Sequence, residues 1–355
     1  MIPPAATSPS ATGLAASAGQ PDDACGSQLL IQPPVSAAIA GSGLTFVKME
    51  GLGNDFIVVD LRQVPPPRWL DDRAVIARLC DRHRGVGADG ILAVLPPRPG
   101  VAAAARLRVR NADGSEAEMC GNGLRCVARY LFEQTLQVGQ ALPVEQRLPA
   151  GAAPVLAIET AAGVLGCELH LRSERQADPF DGCEIEIAMG APRLARAEVP
   201  MLGPPAEPCV DEPIVLGGVG GETLRITAVS MGNPHAVIFV PAGVTGADLL
   251  ALARRIGPQL ETHPAFPKRT NVELCHRRAA DEYEVVVWER GCGITQACGT
   301  GACAAVATGI RDGLLERRVQ VDLPGGTLFV SWDGPGNRLL LEGPAEVSFT
   351  GQFEI

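Results

Sequence analysis

Residues 119–128 read MCGNGLRCVA and residues 297–306 read ACGTGACAAV, two versions of one segment whose cysteines, Cys120 and Cys298, stand 178 positions apart. In each, cysteine is followed by Gly-Asn-Gly or Gly-Thr-Gly and then by an alanine-containing helical run. After the first, Leu124, Val127, Ala128 and Leu131 recur at helical spacing. The repeat reaches further out. Gly53-Asn54 ahead of FIVVD matches Gly232-Asn233 ahead of HAVIFV at an offset of 179, and Asn111 onward (NADG) matches Glu289 onward (ERGC) at 178. Three matches at one offset predict a duplicated α/β domain, with equivalent loops facing one another across a pseudo-two-fold cleft.

A cysteine followed by Gly-X-Gly at a helix start has a defined electrostatic setting. Free backbone N–H groups and the positive end of the helix dipole stabilise a thiolate, and such settings lower a thiol pKa from about 8.5 to roughly 3.5–7.5. The same N–H groups grip a carboxylate, and glycine allows close backbone approach. Two converging helices of this kind would hold one carboxylate between their N-termini, with a thiol on each face of its α-carbon. That arrangement fits two-base racemisation, in which a thiolate removes the α-proton and the opposite thiol returns one. The carbanion must then be stabilised by the dipoles and a desolvated pocket. The chain has only two lysines, Lys48 and Lys268, which makes a Schiff base a poor fit, and its C-x5-C and C-x4-C spacings are not zinc knuckles, so no cofactor and no metal are expected. Polar side chains on glycine-flanked loops complete the candidate set. Asn54, Asn111, Asn233 and Asn271 offer amides, Arg290 a bidentate clamp for a second carboxylate, Glu289 a partner for an ammonium, and His235 a possible aid to a thiol.

With 355 residues and 46% hydrophobic content the chain can bury two cores. A net charge of −10 argues against nucleic-acid and anionic-membrane partners. Eleven cysteines, an odd number in a long chain without a signal-peptide pattern, read as reduced thiols in a cytoplasm. Residues 1–43 are rich in Ala, Ser, Pro and Gly and predict a disordered tail. The organisation expected is an N-terminal half over 44–166, joined by 343–355, and a C-terminal half over 167–342. Helices are predicted at 69–80, 121–132, 249–256 and 301–311. Loose Pro/Gly-rich connections are predicted at 139–155 and 200–222, and the end of the chain reads as a run of strands.

FVKMEGLGNDFIVVD (46–60), RHRGVGADGIL (82–92), NADGSEAEMCGNGLRC (111–126), MGNPHAV (231–237) and WERGCGITQACGTGACAA (288–305) resemble the motifs of diaminopimelate epimerase in their order. The resemblance implies two similar α/β halves, each a curved mixed sheet around a central helix, often paired as a homodimer with Phe349 near the contact. It implies cofactor-independent conversion of LL-diaminopimelate to the meso form, for lysine and peptidoglycan precursor synthesis. Cys120 and Cys298 would carry the protons, supported by His235 and Glu289. Gly121, Asn122, Gly299 and Thr300 would hold the reacting carboxylate. Asn54, Asn111, Asn233, Asn271, Glu289 and Arg290 would line the pocket, with Asn111, Asn233, Asn271 and Arg290 at its distal end. Three positions depart from the family pattern: Gly90 where a glutamine is common, and Cys292 and Ile294 where alanine and glutamate are common.

Other readings predict other patterns. Proline and hydroxyproline racemases pair MCGHG with D-x-S-P-CGTGT, and phenazine-type isomerases lack the paired thiols, whereas a related amino-acid racemase would keep both motifs. A metal or redox thiol module, or a cysteine hydrolase, would not need Cys298 to mirror Cys120. The cysteines outside the two motifs read as small buried hydrophobes.

Overall fold

The computed structural model describes residues 43–117, 120–137, 155–170, 182–217 and 221–354. Most of the tail predicted at 1–43 and the loop predicted at 139–155 lie outside the described residues.

The first half opens with β1 (Gly43–Gly51) and β2 (Asn54–Asp60), antiparallel to each other. Gly53, at φ 78°, makes the turn between them. An outer helix, α1 (Arg73–Cys80), then leads to β3 (Gly90–Leu95), which is parallel to β2. Helix was expected over 69–80. Asp72 interrupts it, accepting hydrogen bonds from the N–H groups of Ala74 and Val75 as the N-cap of α1. β4 (Ala105–Asn111) runs antiparallel to β3 and carries the two-residue β5 (Glu116–Ala117). The central helix α2 (Gly121–Gln137) follows, and then β6 (Val155–Thr160), β7 (Gly163–His170) and β8 (Glu184–Gly190).

The second half repeats this order with the same pairings. β10 (Thr223–Ser230) and β11 (Pro234–Phe239) are antiparallel, α3 (Gly246–Glu261) crosses to β12 (Asn271–Arg277), and β12 lies parallel to β11. β13 (Glu282–Glu289) with the short β14 (Gly293–Ile294) precedes the central helix α4 (Gly299–Arg311). β15 (Arg318–Leu323), β16 (Gly326–Ser331) and β17 (Leu339–Pro344) then follow. Gly232, at φ 96°, makes the turn equivalent to that at Gly53.

The halves join where β8 pairs antiparallel with β17, its own counterpart, so the pseudo-two-fold axis passes through that seam. Beyond the seam each half lends a strand to the other. β9 (Glu212–Val215) follows β8 but pairs with β10, and β18 (Glu346–Glu354) follows β17 but pairs with β1. The expected division at 166/167 falls inside β7, which forms a hairpin with β6. β9 lies within the connection predicted over 200–222; it is a four-residue edge strand containing Pro213, the kind of proline-bearing segment that reads as loop.

Both central helices are enclosed by sheet. Every residue from Gly121 to Phe132, and from Gly299 to Gly309, is buried. A helix wrapped on all sides must be slim or apolar all round, and GTGACAAVATG meets that demand with small side chains. The inner core surrounds α2 and α4, while α1 and α3 each cover a separate outer cluster.

Candidate active site

The N-termini of α2 and α4 meet head to head. A Cβ placed on Gly299 would stand 3.8 Å from the Gly121 Cα, so the two glycines are in near contact. Only residues without side chains let the helix starts approach this closely. Cys120 immediately precedes α2, and Cys298 is the N-cap of α4 with an extended backbone. The Asn122 carboxamide ties the halves together, donating to the Ala297 carbonyl at 3.1 Å and to Asn54 Oδ1 at 3.2 Å.

Counterpart residues surround each thiol, bonded in different ways. In the first half the Cys120 thiol donates to Asn54 Oδ1 at 3.9 Å, and Asp89 holds the Asn54 amide at 2.8 Å. In the second half Asn233, the counterpart of Asn54, donates to Thr300 Oγ1 at 3.2 Å, and Thr300 lies 3.5 Å from Cys298 Sγ. Glu289 ends β13 beside this group and accepts from the Thr295 hydroxyl at 2.6 Å.

His235 and Asn271 are both buried and face each other across the β11–β12 pairing. Asn271 donates to the Pro234 carbonyl at 3.0 Å and accepts from the Arg290 N–H at 2.7 Å, which fixes the loop after β13. Two of the predicted residues point elsewhere. The Asn111 amide donates to Ser115 Oγ within its own turn at 2.9 Å, and the Arg290 guanidinium donates to the Lys268 carbonyl at 3.2 Å.

Sequence reasoning missed two buried charged residues here. Glu273 is fully buried, and its Oε1 lies 2.7 Å from His235 Nδ1. It stands two residues after Asn271 on the same face of β12, a relation visible only once NVELCHR is recognised as a strand. Arg125 is also fully buried, on the second turn of α2. It donates to Asn122 Oδ1 at 2.8 Å and to the Pro344 carbonyl at 3.1 Å.

The three departures are explained locally. A side chain at Gly90 would drive its Cβ to 2.5 Å from the Arg110 carbonyl oxygen, so β3 and β4 have closed over the position where a glutamine is common. Ile294 pairs with Trp288 and packs on the outer cluster under α3, while Cys292 is exposed.

The expected lowering of the thiol pKa values is not what the structure gives. Burial pushes Cys120 up to about 11, with the Gly123 N–H, 3.3 Å from its sulfur, pulling the other way. Burial also raises Cys298, reinforced by the nearby Glu289 carboxylate and by Glu273, and opposed by the Thr300 hydroxyl. Desolvation of the charged form outweighs one or two N–H contacts. Burial also raises Glu289 and Glu273 above the usual carboxylate range. A cavity of about 180 Å³ opens beside Cys120, but its lining, including Arg98, Arg106 and Arg108, belongs to the first half alone. It reaches the junction of the two helices only from the first half's side, at Cys120 and Leu124.

The fold and the paired-cysteine junction define a duplicated epimerase-type α/β protein. A crystal structure of a hydroxyproline epimerase from Agrobacterium vitis has the same fold, with a TM-score of 0.60 at 16% identity over 89% of this chain and 94% of that one. The sequence profile described as diaminopimelate epimerase matches residues 46–169 and 227–348, one segment in each half. Diaminopimelate epimerases of Pelotomaculum thermopropionicum and Desulforudis audaxviator are each 45% identical to this chain, over 87% of it and 98–99% of their own lengths. The chain belongs to the diaminopimelate epimerase family and is an isomerase.

Proposed function

We propose that the chain epimerises LL-2,6-diaminopimelate to the meso form without a cofactor, using Cys120 and Cys298 as the two proton carriers. The observation that carries this reading is the abutment of two helix N-termini, each bearing a cysteine. A carboxylate held by the amides of Gly121, Asn122, Gly299 and Thr300 lies on the positive ends of both dipoles, where charge developing after proton removal is stabilised. One sulfur takes the α-proton as thiolate, the other delivers a proton to the opposite face, and the two exchange roles with each inversion. Asn54 and Asn233 orient the two thiol loops, with His235 behind Asn233. Glu289 takes the substrate ammonium beside Cys298. Asn271 sets the loop that presents Arg290, and Asn111 and Arg290 serve the distal carboxylate once their side chains turn inward.

Incubation with LL-diaminopimelate in heavy water tests this. Wild type is expected to form the meso isomer with deuterium at the inverted carbon, and Cys120→Ala and Cys298→Ala each to lose about 10³-fold in kcat/KM. Retention of full activity by either variant would sink the two-base reading. Gly90 and Ile294 remove two polar contacts common in the family, so L-lysine and L-histidine belong in the same assay as competing substrates.

The enzyme is read as a cytoplasmic homodimer. No helix among the described residues is long and apolar enough to cross a membrane. Phe349 is 49% exposed on β18, the outer strand beside β1. Light scattering should give a dimer for wild type and a monomer for Phe349→Glu.

A further inference from the structure

Leu92 of the first half and Glu273 of the second occupy equivalent positions. Each lies two residues along its strand from the residue paired with Phe56 or His235, which are themselves equivalent. Each also backs the helix glycine next to its thiol. A Cβ on Gly123 would meet Leu92 Cδ2 at 2.8 Å, and one on Gly301 would meet Glu273 Oε1 at 3.0 Å. The first half builds this corner from leucine and phenylalanine, so the fold itself does not require a polar pair there. Burying one is costly unless it is matched.

Behind Cys298 a hydrogen-bonded chain runs from Glu273 Oε1 to His235 Nδ1 at 2.7 Å and from His235 Nε2 to Asn233 Oδ1 at 2.9 Å. It continues from Asn233 Nδ2 to Thr300 Oγ1 at 3.2 Å and from Thr300 Oγ1 to Cys298 Sγ at 3.5 Å. Its direction follows from valence. The Asn233 oxygen can only accept, so Nε2 carries a hydrogen and donates to it, and Nδ1 and the Glu273 carboxyl share one further proton between them. The Asn233 NH₂ then faces Thr300, whose hydroxyl accepts from it and has its hydrogen left for sulfur.

We propose that Glu273 is a positioning residue for the second thiol: through His235 it fixes the facing of the Asn233 carboxamide and so commits the Thr300 hydroxyl hydrogen to the Cys298 sulfur. The consequence for turnover rests on the two-base reading above, but the effect on the thiol does not. Charged and titratable groups around Cys298 are Glu289 on β13, Glu273 on β12 and His235 on β11, with Cys120 and Arg125 on the abutting α2 segment. Without Glu273 the imidazole is free to carry its hydrogen on Nδ1. Nε2 then accepts from the Asn233 NH₂, and the Asn233 oxygen draws the Thr300 hydrogen away from sulfur.

The test is the pH dependence of iodoacetamide labelling at Cys298, read by peptide mass spectrometry with Cys120 as internal control and no substrate present. Glu273→Leu is expected to place the Cys298 profile about one pH unit above that of Glu273→Gln, which loses the same carboxylate charge, a roughly tenfold loss of thiolate at a given pH, and to leave Cys120 in place. Glu273→Gln, whose NH₂ can still donate to Nδ1, is the reference that keeps the facing of Asn233. The double variant Glu273→Leu/His235→Phe copies the packing of the first half and keeps the test open if the single variant does not fold. It should shift Cys298 no further than Glu273→Leu alone, because the pair acts as one unit. Equal Cys298 profiles in the Leu and Gln variants, a Leu profile below that of Gln, or equal shifts at both cysteines would each overturn the proposal. Absence of epimerase activity in wild type would instead remove the functional reading and leave this result standing.

Discussion

The surroundings of Cys120 and Cys298 are built on the same backbone and filled in opposite ways. Near Cys120 the helix carries the charge, with Arg125 and Arg129 buried in α2, while Phe56 and Leu92 on the strands behind it are apolar. Near Cys298 the helix is uncharged, with Cys303 and Ala307 at the positions equivalent to the arginines, and the strands carry His235 and Glu273. Strand order, register and helix contact are shared, so the frame accepts polar groups on either layer. What differs is their task. Arg125 and Arg129 reach outward to the carbonyls of Pro344 and Ala345 and hold the returning end of the chain. His235 and Glu273 reach inward toward a thiol.

The largest effect expected from breaking this contrast is on stability, at Arg125. Arg125→Met strands the Pro344 carbonyl and Asn122 Oδ1 as buried acceptors and should cost about 2 kcal/mol in urea unfolding. A loss confined to activity would mean that the cation serves the site rather than the tether.

A paired substitution reads the two thiol corners against each other. Gly301→Ala presses on the Glu273 carboxyl and Gly123→Ala on a leucine methyl. The first should lower kcat/KM about tenfold, while the second should cost mainly stability, about 1 kcal/mol. Equal activity losses would erase the difference claimed between the corners.

The smallest effect lies in titration. Burial pushes Cys120 up to about 11 and raises Cys298 as well; Cys120 is half-buried while Cys298 is buried, so Cys120 should label first as pH rises. The same burial fixes the sign of a stability change. Folded Cys80 and Cys120 hold their protons to about 11, and Cys167 and Cys303 to about 12. Unfolded thiols release theirs near 8.5. Between those limits the folded state binds more protons, so stability is full below about pH 8.5 and falls as pH rises. Thermal unfolding between pH 8 and 10.5 checks this; a midpoint that rises over that range would contradict it.

The duplication and both cysteine loops were legible in the sequence because glycine and cysteine leave local, position-bound marks that survive at one offset. Glu273 and Arg125 were not, because their meaning depends on strand pairing. Glu273 gains its role from the register of β11 against β12, and Arg125 from a carbonyl 219 residues further on. The thiol pKa direction was missed for a related reason. A helix start is visible in MCGNG, but the depth at which the sheet encloses it is not.

The strand exchange at the seam also sets an order of manufacture. β1 acquires its outer neighbour, and Arg125 and Arg129 their carbonyl partners, only from residues 344–354. On the ribosome, the first half therefore emerges with Arg125 and Arg129 able to reach Asn122 and Glu133, while the carbonyls of Pro344 and Ala345 that complete their bonding are translated more than two hundred codons later. It must wait in an open form while the second half is made around α4. The portion synthesised first is the portion finished last, and a chain arrested before β18 would carry a complete second half beside an unfinished first one.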